Sequence, residues 1–126
     1  MTPRELKEWL LNEVDRYPQQ YEPPEPGITI GVPWTKEKVA QELATMRRCV
    51  IDPYMSDFLF HDTVDQINAD PQIRKRCWVV AEDPHYRMLF DPDTQDFVLA
   101  EKPSSGDGEW VTIGVRGDPV GTFLAR

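Results

Sequence analysis

The sequence predicts a single α+β domain spanning 1–126, with three helices packed on one face of a four-stranded antiparallel meander sheet. Two observations carry that expectation. Apolar residues recur every three or four positions in the N-terminal part, and after Arg76 the period falls to two. A third is size: a compact chain of 126 residues and 14.6 kDa buries roughly 65–70% of its unfolded surface, enough for one core.

The first helix is expected over residues 2–16. Thr2 stands as N-cap, Pro3 occupies the first helical position and Glu5 completes a capping box, TPRE. Leu6, Trp9, Leu10, Val14 and Tyr17 follow at helical spacing, with Lys7, Glu8, Glu13 and Arg16 opposite. The next stretch, YPQQYEPPEPGITIGVPW, holds five prolines and two glycines and predicts an extended loop, within which GITIG can form a short edge strand. Its PPEP segment has the form of a PxxP ligand but no flanking arginine to orient docking, so it reads as a loop over the core. Thr35 caps a second helix to about Arg48, in which Val39, Leu43, Met46 and Val50 form the apolar stripe. A third helix is expected over about 56–68, capped by Ser56 or Asp57, carrying Phe60, Val64 and Ile67, and ended by Asn68 and Asp70-Pro71.

Four runs then alternate with turn chemistry. CWVVAE, YRMLF, DFVLAE and EWVTIGV are rich in aromatic and β-branched residues, and EDPH, DPDTQ and KPSSGDG separate them. CWVVA is apolar on both faces, which suits a central strand. At the end, GDPVGTFLAR predicts a last helical turn with Asp118 as cap and Pro119 first, or else a final strand, since Gly121 weakens the helix.

Composition narrows the function classes. The chain is 40% hydrophobic despite a mean hydropathy of −0.55, too apolar for wholesale disorder. Its longest apolar run, Cys77 to Ala81, is far below the ~20 residues of a membrane-spanning helix. The opening MTPRELKEWLL has no signal-peptide pattern, so a soluble cytoplasmic protein is expected. Cys49 and Cys77 each sit among apolar neighbours, as reduced buried thiols do. A net charge of −8 and a pI near 4.7 speak against nucleic acid or an anionic membrane as partner, and the cluster Arg74-Lys75-Arg76 is too short to reverse that.

No motif for a metal, cofactor or catalytic group is specific. An EF-hand loop starting at Asp91 requires glycine sixth and glutamate twelfth, where Asp96 and Lys102 stand, so DPDT reads as a type I turn whose first aspartate caps its own backbone. Cys49, His61, Cys77 and His85 lie 12, 16 and 8 positions apart, unlike the paired spacing of zinc ligands. Neither a metal nor a cofactor is expected. Ser104 and Ser105 lack a nucleophile elbow, and no glycine-rich phosphate cradle exists. The best enzymatic constellation is His61 with Asp57 and Asp65, which a helix over 56–68 would align on one face as base and orienting carboxylates, for a small hydrolase or isomerase. The plainer account of those residues is an exposed, ion-paired helix face.

Charge is the most informative feature. Between Glu82 and Glu109 stand eight acids against two bases. A meander places alternate turns at one end, gathering Glu82, Asp83, Glu101, Asp107 and Glu109 into a pole of carboxylates rimmed by Tyr86 and Trp110. Such a pole is either a solvated, solubilising surface or a docking site that steers a basic protein partner. The expectation is a noncatalytic binding module, compatible in size and acidity with immunity, antitoxin and inhibitor proteins that engage basic effectors. Besides the His61 enzyme, the alternative is a structural subunit contacting its assembly through the aromatics of the Tyr17 to Trp34 loop. Oligomeric state and partner identity are not encoded in any of these patterns.

Overall fold

The computed structural model describes residues 1–23, 34–104 and 108–126. Its elements are α1 (Pro3–Gln20), α2 (Lys36–Cys49), β1 (Val50–Leu59), α3 (Val64–Ile67), β2 (Arg74–Glu82), β3 (Tyr86–Asp91), β4 (Asp96–Glu101), β5 (Val111–Gly117) and α4 (Pro119–Leu124). The class is α+β as expected, with four helices and five strands among the described residues where three and four were predicted. The GITIG strand and most of the PPEP segment fall outside the described residues.

The strands follow one another as an antiparallel meander that curls until β1 meets β5, closing a barrel. The seam is a parallel pairing of Leu59 with Val111, reinforced by a hydrogen bond from the Leu59 N–H to the Trp110 carbonyl at 3.1 Å. β1 is bent where its register slips between Val50 and Tyr54. Asp52 and Pro53 occupy that slip, and proline has no N–H to give to the ladder.

Because the closed sheet has two buried faces, there are two apolar clusters. Inside the barrel lie Phe58, Phe60, Cys77, Val79, Leu89, Val98 and Ala100. Outside, Leu6, Leu10 and Val14 of α1, Val39, Leu43 and Met46 of α2, and Val120 and Phe123 of α4 cover Val80, Met88 and Phe97. The two-sided apolarity of CWVVA is thereby explained, since Val79 points inward and Val80 outward, with β1 and β3 on either side. Burial pushes the Cys77 thiol up to about 12.

The helix predicted over 56–68 does not exist. Tyr54 through Leu59 pair with β2 from Val79 to Arg74, and Phe58 and Phe60 fill the barrel at period two. Only Val64–Ile67 is helical, capped by Thr63 with Gln66 in a reciprocal box, rather than by Ser56 or Asp57. The third helix on the sheet's outer face is instead α4, capped by Asp118 with Pro119 first. α1 bears the Thr2–Glu5 capping box but continues past residue 16, carrying Pro18 in its last turn and closing with the Tyr21 N–H on the Tyr17 carbonyl at 3.0 Å. Tyr17 and Tyr21 pack on the outer cluster, which holds that extra turn.

Candidate functional site

The meander sets the turn after β2 beside the end of β4. Glu82 pairs with Arg87 across β2 and β3, Tyr86 faces Glu101, and Glu101 faces Val111. The Lys102 N–H donates to the His85 carbonyl at 2.9 Å. Asp83, which follows Glu82, belongs to this end. Closure carries Glu109 away from it, to Arg74 at the opposite end of β2, while the Trp110 ring reaches Arg87. Asp107 lies outside the described residues.

These carboxylates are not bare. Glu82 accepts from the Tyr54 hydroxyl at 3.2 Å and meets Arg87 Nε at 3.4 Å, while the Arg87 guanidinium lies 4.1 Å over the Trp110 ring. Asp83 accepts from the N–H groups of His85 and Tyr86 at 2.8 Å each and pairs with Arg126 at 3.2 Å. Glu109 is gripped by Arg74 through two nitrogens, and those hydrogen bonds hold its carboxyl below the usual carboxylate range. Glu101 is exposed, and among the described residues no base lies within ion-pair distance of it. Trp110 lies against the inner cluster, so the aromatic rim plugs the barrel mouth with Tyr54 partly open to water.

The other end is sealed by a network that composition could not disclose. Asp91 is fully buried and receives Lys75 Nζ at 2.6 Å and Arg116 Nη2 at 3.2 Å. Arg116 also contacts Asp62 at 3.1 Å and Asp96 at 2.9 Å. The supposed basic cluster thus splits by strand alternation. Lys75 joins this network, Arg74 turns to Glu109, and Arg76 meets Asp57 at 3.8 Å. Burial lowers the Lys75 pKa, but the Asp91 hydrogen bond and charge outweigh it and carry the amine above its ordinary value.

The His61 constellation is dispersed, because the helix that would align it is absent. Asp57 is on β1 and Asp65 in the first turn of α3. His61 Nε2 contacts Gln72 Oε1 at 2.5 Å, and its backbone N–H donates to Thr112 Oγ1 at 2.9 Å, a latch between the α3 loop and β5. A groove of about 510 Å³ opens elsewhere, between α1 and the β1 bulge, lined by Arg4, Lys7, Leu11 and Pro53 among others. Among the described residues no three His, Cys, Asp or Glu side chains converge to hold a metal ion, and no helix is long and apolar enough to cross a membrane. No family model matches the chain, and neither a curated protein nor a solved structure matches it.

Proposed function

We propose that the chain is a noncatalytic protein-binding module of the cytoplasm whose acidic barrel end receives a basic protein surface, in the manner of an immunity, antitoxin or inhibitor protein. The observation that supports it best is the barrel mouth itself. Glu82, Asp83 and Glu101 lie near Tyr54, Tyr86 and the Trp110 ring, which gives fixed aromatic area flanked by carboxylates. Most of these carboxylates hold arginines of their own. Solvent-screened ion pairs such as Glu82 with Arg87 add little stability, so an incoming lysine or arginine can exchange for the internal cation at little cost. The free carboxylate of Glu101 and the chain's net charge of −8 supply the steering field.

The test is capture of cell protein on the immobilised chain at low salt and at about 0.5 M salt, where screening reaches only a few ångströms. A retained protein of basic pI is expected, released by salt, and binding about tenfold more slowly to the variant carrying Glu82→Gln and Glu101→Gln. Retention indifferent to both salt and the amides would reject the proposal.

A further inference from the structure

The α3 loop turns its composition inside out. Its ends meet where the Phe60 N–H donates to the Ile73 carbonyl at 2.9 Å, and its polar side chains fasten it from within. Gln72 Nε2 donates to the carbonyls of Ile67 at 3.0 Å and Ala69 at 2.6 Å. Gln66 Oε1 accepts from the Asp62 and Thr63 N–H groups, and Asp62 Oδ1 accepts from the Gly114 N–H at 3.0 Å. The aliphatic side chains point the other way: Val64 is 70% exposed, Ile67 49% and Ile73 39%. Ile113, beside the Gly114 that Asp62 ties down, is 38% exposed. A loop whose polar side chains are tied inward by this many hydrogen bonds presents its aliphatics to water in a fixed arrangement.

The charges beside the patch select its occupant. Asp65 and Asp70 are exposed within the loop, and among the described residues neither has a base in ion-pair range. Arg74, the nearest base in sequence, is held by Glu109. We propose that Val64, Ile67 and Ile73 form a docking patch for an amphipathic basic segment of a partner protein, whose aliphatic side chains cover the patch while its lysines or arginines meet Asp65 and Asp70. A second copy of this chain is disfavoured, because a two-fold contact would set Asp65 and Asp70 against their own counterparts in a molecule of net charge −8. This surface is independent of the acidic barrel mouth and does not rest on it.

A short amphipathic peptide of leucine and lysine serves as probe, with an all-lysine peptide as control, read by fluorescence anisotropy and by amide chemical shifts. The leucine-lysine peptide should bind with shifts concentrated at residues 60–73, and the double variant Val64→Ser, Ile67→Ser should weaken it by about tenfold or more. Both side chains are exposed, so the variant keeps its fold, and an unchanged far-UV spectrum checks this. Equal binding to the variant, or equal binding of the all-lysine peptide, overturns the assignment. So does concentration-dependent self-association that the serines abolish, which would give the patch to a second copy. The variant with Glu82→Gln and Glu101→Gln should bind the peptide as the parent does. A loss there with none in the serine variant would move the site to the barrel mouth.

Discussion

Asp91 starts a hairpin turn, and its side chain closes a barrel. Its Oδ1 accepts from the Asp93 N–H at 3.0 Å, which is the local capping that Asp-Pro-Asp-Thr predicts. Its Oδ2 accepts from Lys75 and Arg116, contacts that arise only once β2, β3 and β5 surround one end of the interior. Burial pushes the Asp91 carboxyl up, but Lys75, the Asp93 N–H and Arg116 together carry it below its ordinary value. Hydrogen bonds from Arg116 lower Asp96 in the same way, against the opposing effect of burial. The sign of the pH effect follows. Below about pH 4 the unfolded chain takes up protons at these carboxyls that the folded chain still refuses, so acid favours unfolding. Stability should be complete at neutral pH and fall as the pH drops from about 5 through the lowered folded-state values. Asp91→Asn should cost about 1–3 kcal/mol at pH 7, since it leaves Lys75 with only the longer Asp93 contact at 3.5 Å while Arg116 keeps Asp62 and Asp96, and should flatten the acid limb. Urea denaturation at pH 7 and at pH 3.5 measures both. A change under 0.5 kcal/mol, or an unaltered acid limb, would show that the network is not what holds this end shut.

Elements whose signals are local were legible. Thr2 and Glu5 form their capping box, Thr35 caps α2 by accepting from Lys38 N–H at 3.1 Å, and Asp118 caps α4 from Gly121 N–H at 2.8 Å. The segment from 50 to 73 was not legible. Phe60, Val64 and Ile67 fit a helical stripe, while the strand identity of Tyr54 to Leu59 rests on partners such as Arg76 opposite Asp57, far along the chain. The true start signal, Thr63 followed by Gln66, was present in the sequence but lay inside the longer periodic pattern. The same loop permits a test at this scale. Gln72 bridges His61, Ile67 and Ala69, so Gln72→Ala should loosen the loop by about 1–2 kcal/mol. Amide exchange at residues 63–70 should then quicken roughly tenfold or more while β2 to β4 stay protected. If exchange in the loop does not change, these hydrogen bonds do not hold its shape.

For the molecule as a whole, the nearness of Glu82 and Glu101 could be read from the meander, but the removal of Glu109 to Arg74 by barrel closure, and the ion pairs of these carboxylates, could not. Arg74 reaches Glu109 across the seam, and Arg126 reaches Asp83 from behind α4. The first contact depends on closure, and the one ladder pair that marks closure among the described residues, Leu59 with Val111, is signalled by no local pattern. Closure also gives the middle strands a double duty, because β2, β3 and β4 each send side chains to both cores. Val79, Leu89 and Val98 go inward, while Val80, Met88 and Phe97 go outward under the helices. A strand displaced by loss of one core cannot keep the other, so the two should melt together. Leu10→Ala, on the helical side, should cost about 2–5 kcal/mol, and Phe58→Ala, inside the barrel, about 3–5 kcal/mol, both residues being fully buried. Each variant should lower the midpoint of one shared transition, seen alike by far-UV circular dichroism and by tryptophan fluorescence, with Trp9 reporting on the helices and Trp110 on the barrel. Should Leu10→Ala separate the two signals, with the helices leaving before the strands, the barrel would have to stand on its interior alone and the coupling through β2 to β4 would be refuted.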